Sequence, residues 1–165
     1  MASDQATISE RQLVVFDLNE EAYGVDIGAV REIIRMQEIT RVPRAPRFIE
    51  GVINLRGKVI PVVDLRQRFS MPETERTEEH RIVVVDVMGQ DIGMVVDAVT
   101  EVSRVSEASI EPPSSVITTE DSDYLTGIVK TDSKLIILLD IAKVISADEA
   151  DKLVEVAEAS VAEAA

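Results

Sequence analysis

The 165-residue sequence predicts a mainly β protein folded as two similar small barrels, and three observations carry that expectation. Hydrophobicity with a period of two runs through QLVVFDLNEEAYGVDI, GVINLRGKVIPVVDL, HRIVVVDVMGQDIGMVV and YLTGIVKTDSKLIILLDI, each of which reads as two short strands around a polar or glycine-containing turn. These hairpins also recur in order. LVVFDLNEEAYGVDIGAVREI from Leu13 aligns with IVVVDVMGQDIGMVVDAVTEV from Ile82 at an offset of 69, which puts Asp17 on Asp86, Gly24 on Gly93, Val30 on Val99 and Glu32 on Glu101. GVINLRGKVIPVVDL from Gly51 aligns with GIVKTDSKLIILLDI from Gly127 at an offset of 76, matching Gly51 to Gly127, Lys58 to Lys134 and Asp64 to Asp140. Finally, strands this short bury their edges best as five-stranded closed or half-closed barrels.

Taken along the chain, residues 1–10 read as a loose tail and 11–146 as the folded domain, divided into subdomains of roughly 11–80 and 81–146. Each half holds a hairpin, a short crossing segment and a second hairpin. In the first crossing segment DIGAVREII puts Ile27, Val30 and Ile34 on one helical face, with Asp26 as N-cap. DLRQRF has room for a turn or two of helix, and SMPETERTEEH, Ser70 to His80, reads as a surface connector between the copies. The continuous apolar runs IVVV and LIILL suit strands covered on both faces. Residues 147–165 read as a C-terminal helix: Ser146 and Glu149 form a capping box, Leu153 and Val154 supply packing, and the end frays.

Composition narrows the function. The chain has no cysteine, which removes disulfides, thiolate metal sites and a cysteine nucleophile and fits a reducing cytosol. No apolar run approaches the roughly 20 residues of a membrane helix. The net charge of −14 argues against non-specific binding to nucleic acid or anionic membrane. Locally the balance reverses: Arg31 to Arg68 holds nine Lys or Arg against four acids, about +5, a face able to steer an acidic protein partner.

Enzymatic readings find little material. His80, the only histidine, reads as a solvated imidazole in the connector, and no nucleophile-elbow pattern accompanies it. The seven glycines are scattered as turn glycines rather than gathered into a phosphate loop. Asp17 and Asp86 end apolar strands as a phosphoacceptor would, but a receiver domain needs alternating helices and a parallel sheet. TEDSD, ending at Asp123, lacks the glycine and spacing of a calcium loop. A binding module is the reading that remains, with no catalytic residue, cofactor or metal.

EEAYGVDIGAVREI, PRFIEGVINLRGKVIPVVDLRQRF, DIGMVVDAVTEV and YLTG, in this order, resemble the CheW family of chemotaxis coupling proteins, and the similarity runs from about Gln12 to Ile145. The resemblance implies two five-stranded, SH3-like β-barrels packed through a shared hydrophobic core, with strands exchanged near the ends. It implies a non-catalytic cytoplasmic scaffold, recruited to membrane-associated receptor arrays. There it would bridge the hairpin tip of methyl-accepting chemoreceptors to the CheW-like regulatory domain of the histidine kinase CheA.

Carried over residue by residue, the receptor-facing positions fall on Val30, Glu32, Arg56, Gly93, Val99 and Val102. Val30 and Val99 are also equivalent in the repeat, and Arg56 would supply a planar, charge-assisted contact. Kinase contacts are expected around Arg41, Val42, Phe48 and Gly51, and in the loop IEPPSSV at Glu111 and Val116, where the family pattern has a basic residue and a bulky aromatic. Two rival expectations are a CheW-like module of a larger kinase or receiver fusion, and a small-ligand or enzymatic barrel. Met1, the short polar leader and the capped terminal helix favour a complete small protein over the first.

Overall fold

A computed structural model describes residues 10–43, 45, 48–112, 124–131, 134–145, 149, 152 and 155. Strands β1 (Glu10–Leu18) and β2 (Glu21–Asp26) form the first hairpin, and β3 (Val30–Arg35) crosses to the second, β4 (Ile49–Leu55) and β5 (Lys58–Asp64). A single turn of helix, α1 (Leu65–Arg68), ends this half. The second half repeats the plan with β6 (Arg81–Val87), β7 (Gln90–Val96), the crossing strand β8 (Ala98–Ser106), a two-residue β9 (Ile110–Glu111), β10 (Leu125–Lys130), β11 (Leu135–Leu139) and α2 (Ile141–Val144). The capping residues of the predicted C-terminal helix, Ser146 onward, lie almost wholly outside the described residues.

The strands assemble into a six-stranded sheet, β8-β1-β2-β11-β10-β9, and a five-stranded sheet, β3-β6-β7-β5-β4. Each sheet therefore takes the opening hairpin of one half and the crossing strand and second hairpin of the other. The mainly β expectation is met by these two sheets. They curl without full closure: in the five-stranded sheet one bridge, Thr40 to Val52, carries the chain beyond β3 back to the opposite edge.

Alternation along β1 and β6 explains why their apolar runs have no polar face. Leu13 and Val15 point into the curl of the six-stranded sheet, whereas Val14, Phe16 and Leu18 point into the core between the sheets. Ile82 and Val84 face the curl of the five-stranded sheet, and Val83, Val85 and Val87 meet the same central core. A strand buried on both faces reads as a continuous hydrophobic run. The rings of Phe16, Tyr23, Phe69 and Tyr124 stack in sequence through that core, with centroids 6.0, 6.1 and 4.8 Å apart.

Both repeat offsets hold in the registers. Gly24 lies opposite Leu138 in the parallel β2–β11 pair, and Gly93 opposite Val62 in the parallel β5–β7 pair. A Cβ on Gly93 would stand 2.8 Å from Ile82 Cγ2, so the sheet closes over this position only without a side chain. The bulge at Ile49/Gly51 recurs at Leu125/Gly127, and a Cβ on Gly51 would fall 2.2 Å from the Thr40 carbonyl oxygen. Asp64 and Asp140 cap α1 and α2 alike, each accepting from the amide two residues on.

Two expectations need correction. DIGAVREII is not a helix: Asp26 caps a single 3-10 turn, Ile27–Ala29, after which the β-branched residues of β3 pair with β6. His80 is not a solvated imidazole either, being 4 % exposed. Its Nδ1 accepts from the Thr77 amide at 3.0 Å, which leaves the proton on Nε2, 3.6 Å from Asp97 Oδ1. Asp97 in turn is held by Arg66 through two bonds of 2.8 and 2.6 Å and by the Asn19 amide at 2.9 Å. The cluster thus ties the connector and α1 to the β1–β2 turn. Burial opposes ionisation of Asp97, but the bonds from Arg66 and Asn19 outweigh it and hold the carboxyl below the usual range.

Gly93→Ala should cost about 1–3 kcal/mol by overpacking against Ile82, read as a lower denaturation midpoint in urea. Burial lowers the His80 pKa below its ordinary 6.5, against a partial pull from Asp97. Above that value both folded and unfolded chains carry a neutral ring. Below it the unfolded chain takes up the proton first, so stability falls with decreasing pH. Urea midpoints should drop from pH 7.5 to pH 5, and His80→Gln should flatten that slope.

Candidate docking surface

Arg56, in the β4–β5 turn, is a strongly exposed charge of the five-stranded sheet. Arg56 and Gly57 have φ of 53° and 84°, and Asn54 Oδ1 accepts the Gly57 amide at 2.8 Å. This two-residue turn suits the twist of a hairpin. Met88 and Gly89 repeat it in the β6–β7 turn, with Asp86 in place of Asn54. Asn19 in the β1–β2 turn also has a positive φ, of 52°, so a non-glycine residue in that conformation is something the fold tolerates in several hairpins. What distinguishes Arg56 is its side chain, 70 % exposed yet paired with Glu32 of β3. The bond to Glu32 raises the Arg56 pKa further above its ordinary value.

Beside this pair lies a second group of charges. Arg31 reaches Asp91 at 2.8 Å and Asp86 at 3.2 Å, and Lys58 reaches Asp91 at 3.0 Å. Burial works against the Asp91 carboxylate, but Lys58 and Arg31 hold its pKa below normal. The other sheet offers a comparison. There Lys134, equivalent to Lys58, lies 4.0 Å from Glu101, equivalent to Glu32. The equivalent of Asp91 is Ala22, so Lys134 has no carboxylate at that place and turns to the crossing strand. In the five-stranded sheet Asp91 captures Lys58, and Glu32 is left for Arg56. A cation-to-glutamate link from second hairpin to crossing strand thus belongs to both halves; the arginine at the turn belongs to one. Asp132, at the position equivalent to Arg56, lies outside the described residues.

These pairings also remove most of the cationic face expected from Arg31 to Arg68. Arg31, Arg56, Lys58, Arg66 and Arg68 all meet carboxylates within the molecule. Arg35 and Arg41 have no ion pair among the described residues, and Arg44 and Arg47 lie outside them.

The remaining receptor-facing candidates divide by burial. Val30 and Val99 are half-buried and pack on the central core, Val30 opposite Val85 and Val99 opposite Phe16. Val102 is 52 % exposed on β8. Gly93 is buried, and its lack of a side chain is explained by packing. Glu32, Arg56 and Val102 are thus the surface members of the set.

The kinase-facing candidates are more scattered. Arg41 is exposed and lines a polar cleft with Glu50, Asp64 and Arg76. Val42 and Phe48 are half-buried, and the Arg68 guanidinium sits 5.7 Å over the Phe48 ring. Gly51 is buried in its bulge beneath Thr40. Glu111 is exposed on β9 and pairs with Lys130 at 3.4 Å; Val116 lies outside the described residues. Sequence reasoning weighed Asp86 only as a strand-end phosphoacceptor and missed Asp91, although the two flank a Met-Gly turn.

The model of the CheW-like domain matches residues 12–149. The chain belongs to the CheW-like family. It is similar to a chemotaxis protein CheW of Treponema pallidum, 37 % identical over 146 residues and 86 % of each chain. Another CheW, from Rhizobium meliloti, is 33 % identical over 90 % of this chain and 96 % of its own length. Among solved structures, the scaffolding protein TtCheW of Thermoanaerobacter tengcongensis superposes with a TM-score of 0.78 and 44 % identity, covering 86 % of this chain and 96 % of that one. Among the described residues no helix is long and apolar enough to cross a membrane, and no group of three or more His, Asp or Glu is placed to hold a metal ion.

Because Glu32 and Arg56 are mutually satisfied but solvent-facing, Arg56→Ala and Glu32→Gln should leave the thermal unfolding midpoint essentially unchanged. A large drop in either variant, measured by circular dichroism, would make the pair a structural element rather than a surface one.

Proposed function

We propose that this protein is a chemotaxis coupling scaffold that joins the cytoplasmic hairpin tips of chemoreceptors to the CheW-like regulatory domain of CheA, and so brings the kinase to membrane-associated arrays. It acts by docking, with no chemistry of its own. The observation that carries the reading is the Arg56–Glu32 pair, held out from a rigid turn with the exposed Val102 on the equivalent crossing strand. A coiled-coil tip needs apolar anchors and rim charges of this kind. The family match over residues 12–149 supports the same reading. Kinase docking is assigned to the region of Arg41, Val42, Phe48 and Gly51 together with Glu111 and Val116. Pairing with a related domain in the kinase fits an assembly of repeating pseudo-symmetric contacts.

Pull-down with a receptor cytoplasmic fragment and with the host's CheA tests the two contacts separately. Arg56→Ala and Val102→Asp should both lose receptor recruitment and keep the kinase. Val102 serves better than Val99, since Val99 packs on the core and a carboxylate there would also cost stability. Unimpaired receptor recruitment by both variants would contradict the assignment.

A further inference from the structure

The two crossing strands repeat at a finer grain than the fold requires. β3 reads VREIIR and β8 contains VTEVSR, so Val30, Glu32, Ile33 and Arg35 correspond to Val99, Glu101, Val102 and Arg104 at the offset of 69. The registers agree as well: Ile33 lies opposite Val83 and Val102 opposite Val14, both of which are fully buried in the central core. The strand-to-strand path therefore runs from core to solvent at equivalent places. Ile33 is 38 % exposed and Val102 52 %, although each belongs to an aliphatic type that normally finds cover.

Two residues further on come Arg35 and Arg104. Both are exposed, and neither forms an ion pair among the described residues, in a chain of net charge −14 where carboxylates are plentiful. Arg35 even lies directly opposite another arginine, Arg81, whose guanidinium donates to the carbonyls of Glu78 and His80 at 2.7 and 2.9 Å. Like charges directly opposite on a sheet are destabilising. Folding alone gives no reason to put Arg35 there.

We infer that β3 and β8 present two equivalent half-sites, Ile33 with Arg35 and Val102 with Arg104, and that each receives a helix bearing an aliphatic and an acidic side chain one turn apart. The spacing matches: same-face side chains two apart on a strand are about 7 Å from one another, and helix positions four apart are separated by about 6 Å along the axis. Charge selects the partner, because an unpaired arginine at the end of an apolar strip takes a carboxylate. The inference rests on the receptor-docking reading and sharpens it, by adding Ile33, Arg35 and Arg104 to the surface and by requiring a partner with two such helices, as a helical hairpin has.

The test is calorimetric titration of the full chain with a receptor cytoplasmic fragment, at low and high salt, and with the CheA regulatory domain as control. Arg35→Glu and Arg104→Glu should each weaken receptor binding about tenfold, with the double variant weaker than either and kinase affinity unchanged. Arg35→Lys and Arg104→Lys should lose much less. If either reversal stays within about twofold of wild type while Arg56→Ala still weakens binding, the half-sites are wrong and the receptor reading stands. Equal losses toward the kinase would also overturn the half-sites, by tracing the effect to the fold. A wild-type chain that ignores the receptor fragment would overturn both.

Discussion

Every feature of the surface depends on the central core between the sheets, which exists because the two halves exchange their opening hairpins. Val14, Phe16, Val83 and Val85 of β1 and β6 are fully buried there, each contributing on the order of 1.5–3 kcal/mol. Neither half of the sequence completes its own sheet. β1 and β2 lie beside β11 and β8 of the second half, and β6 and β7 beside β3 and β5 of the first. The molecule is consequently one cooperative body, and the crossing strands β3 and β8 are fixed relative to each other through it.

That rigidity is what turns exposed side chains into a docking surface. Arg56 stands on a tight turn whose backbone is fixed by Asn54, and its guanidinium is oriented by Glu32. Arg31 and Lys58 link their strands to Asp86 and Asp91 by charge. A surface so organised loses little side-chain freedom when a partner arrives, and it is costs of that kind which set affinity for an interface of given area. The half-buried Arg66–Asp97–His80 cluster performs a complementary service, joining the connector to the other sheet's first turn.

Much of this was legible in the sequence, for identifiable reasons. Strands were visible because β1, β6 and β11 are apolar on both faces, and the duplication because glycines in close packing, Gly24 with Gly93 and Gly51 with Gly127, recur at offsets of 69 and 76. Strand exchange came only from the family resemblance and not from the residue pattern, since β1 would satisfy the same pattern beside either β8 or its own half's β3. Helical periodicity in DIGAVREII misled because Ile27, Val30 and Ile34 also fit a 3-10 turn followed by a strand. His80 was misplaced for a simpler reason: its neighbours Glu78 and Glu79 are exposed, and only the tertiary fold brings Asp97 and Arg66 over it. The apparent cationic face dissolved likewise, because its acidic partners Asp91 and Asp97 come from the other half of the chain.

The surface account is tested most directly by amide chemical-shift mapping of the isotope-labelled chain as a receptor cytoplasmic fragment is added. Perturbations should gather on β3, on the β4–β5 turn around Arg56 and on the first half of β8 around Val102, with the amides of β10 and α2 left in place. Shifts confined to β9, β10 and the region of Arg41, with β3 and Arg56 unmoved, would contradict it.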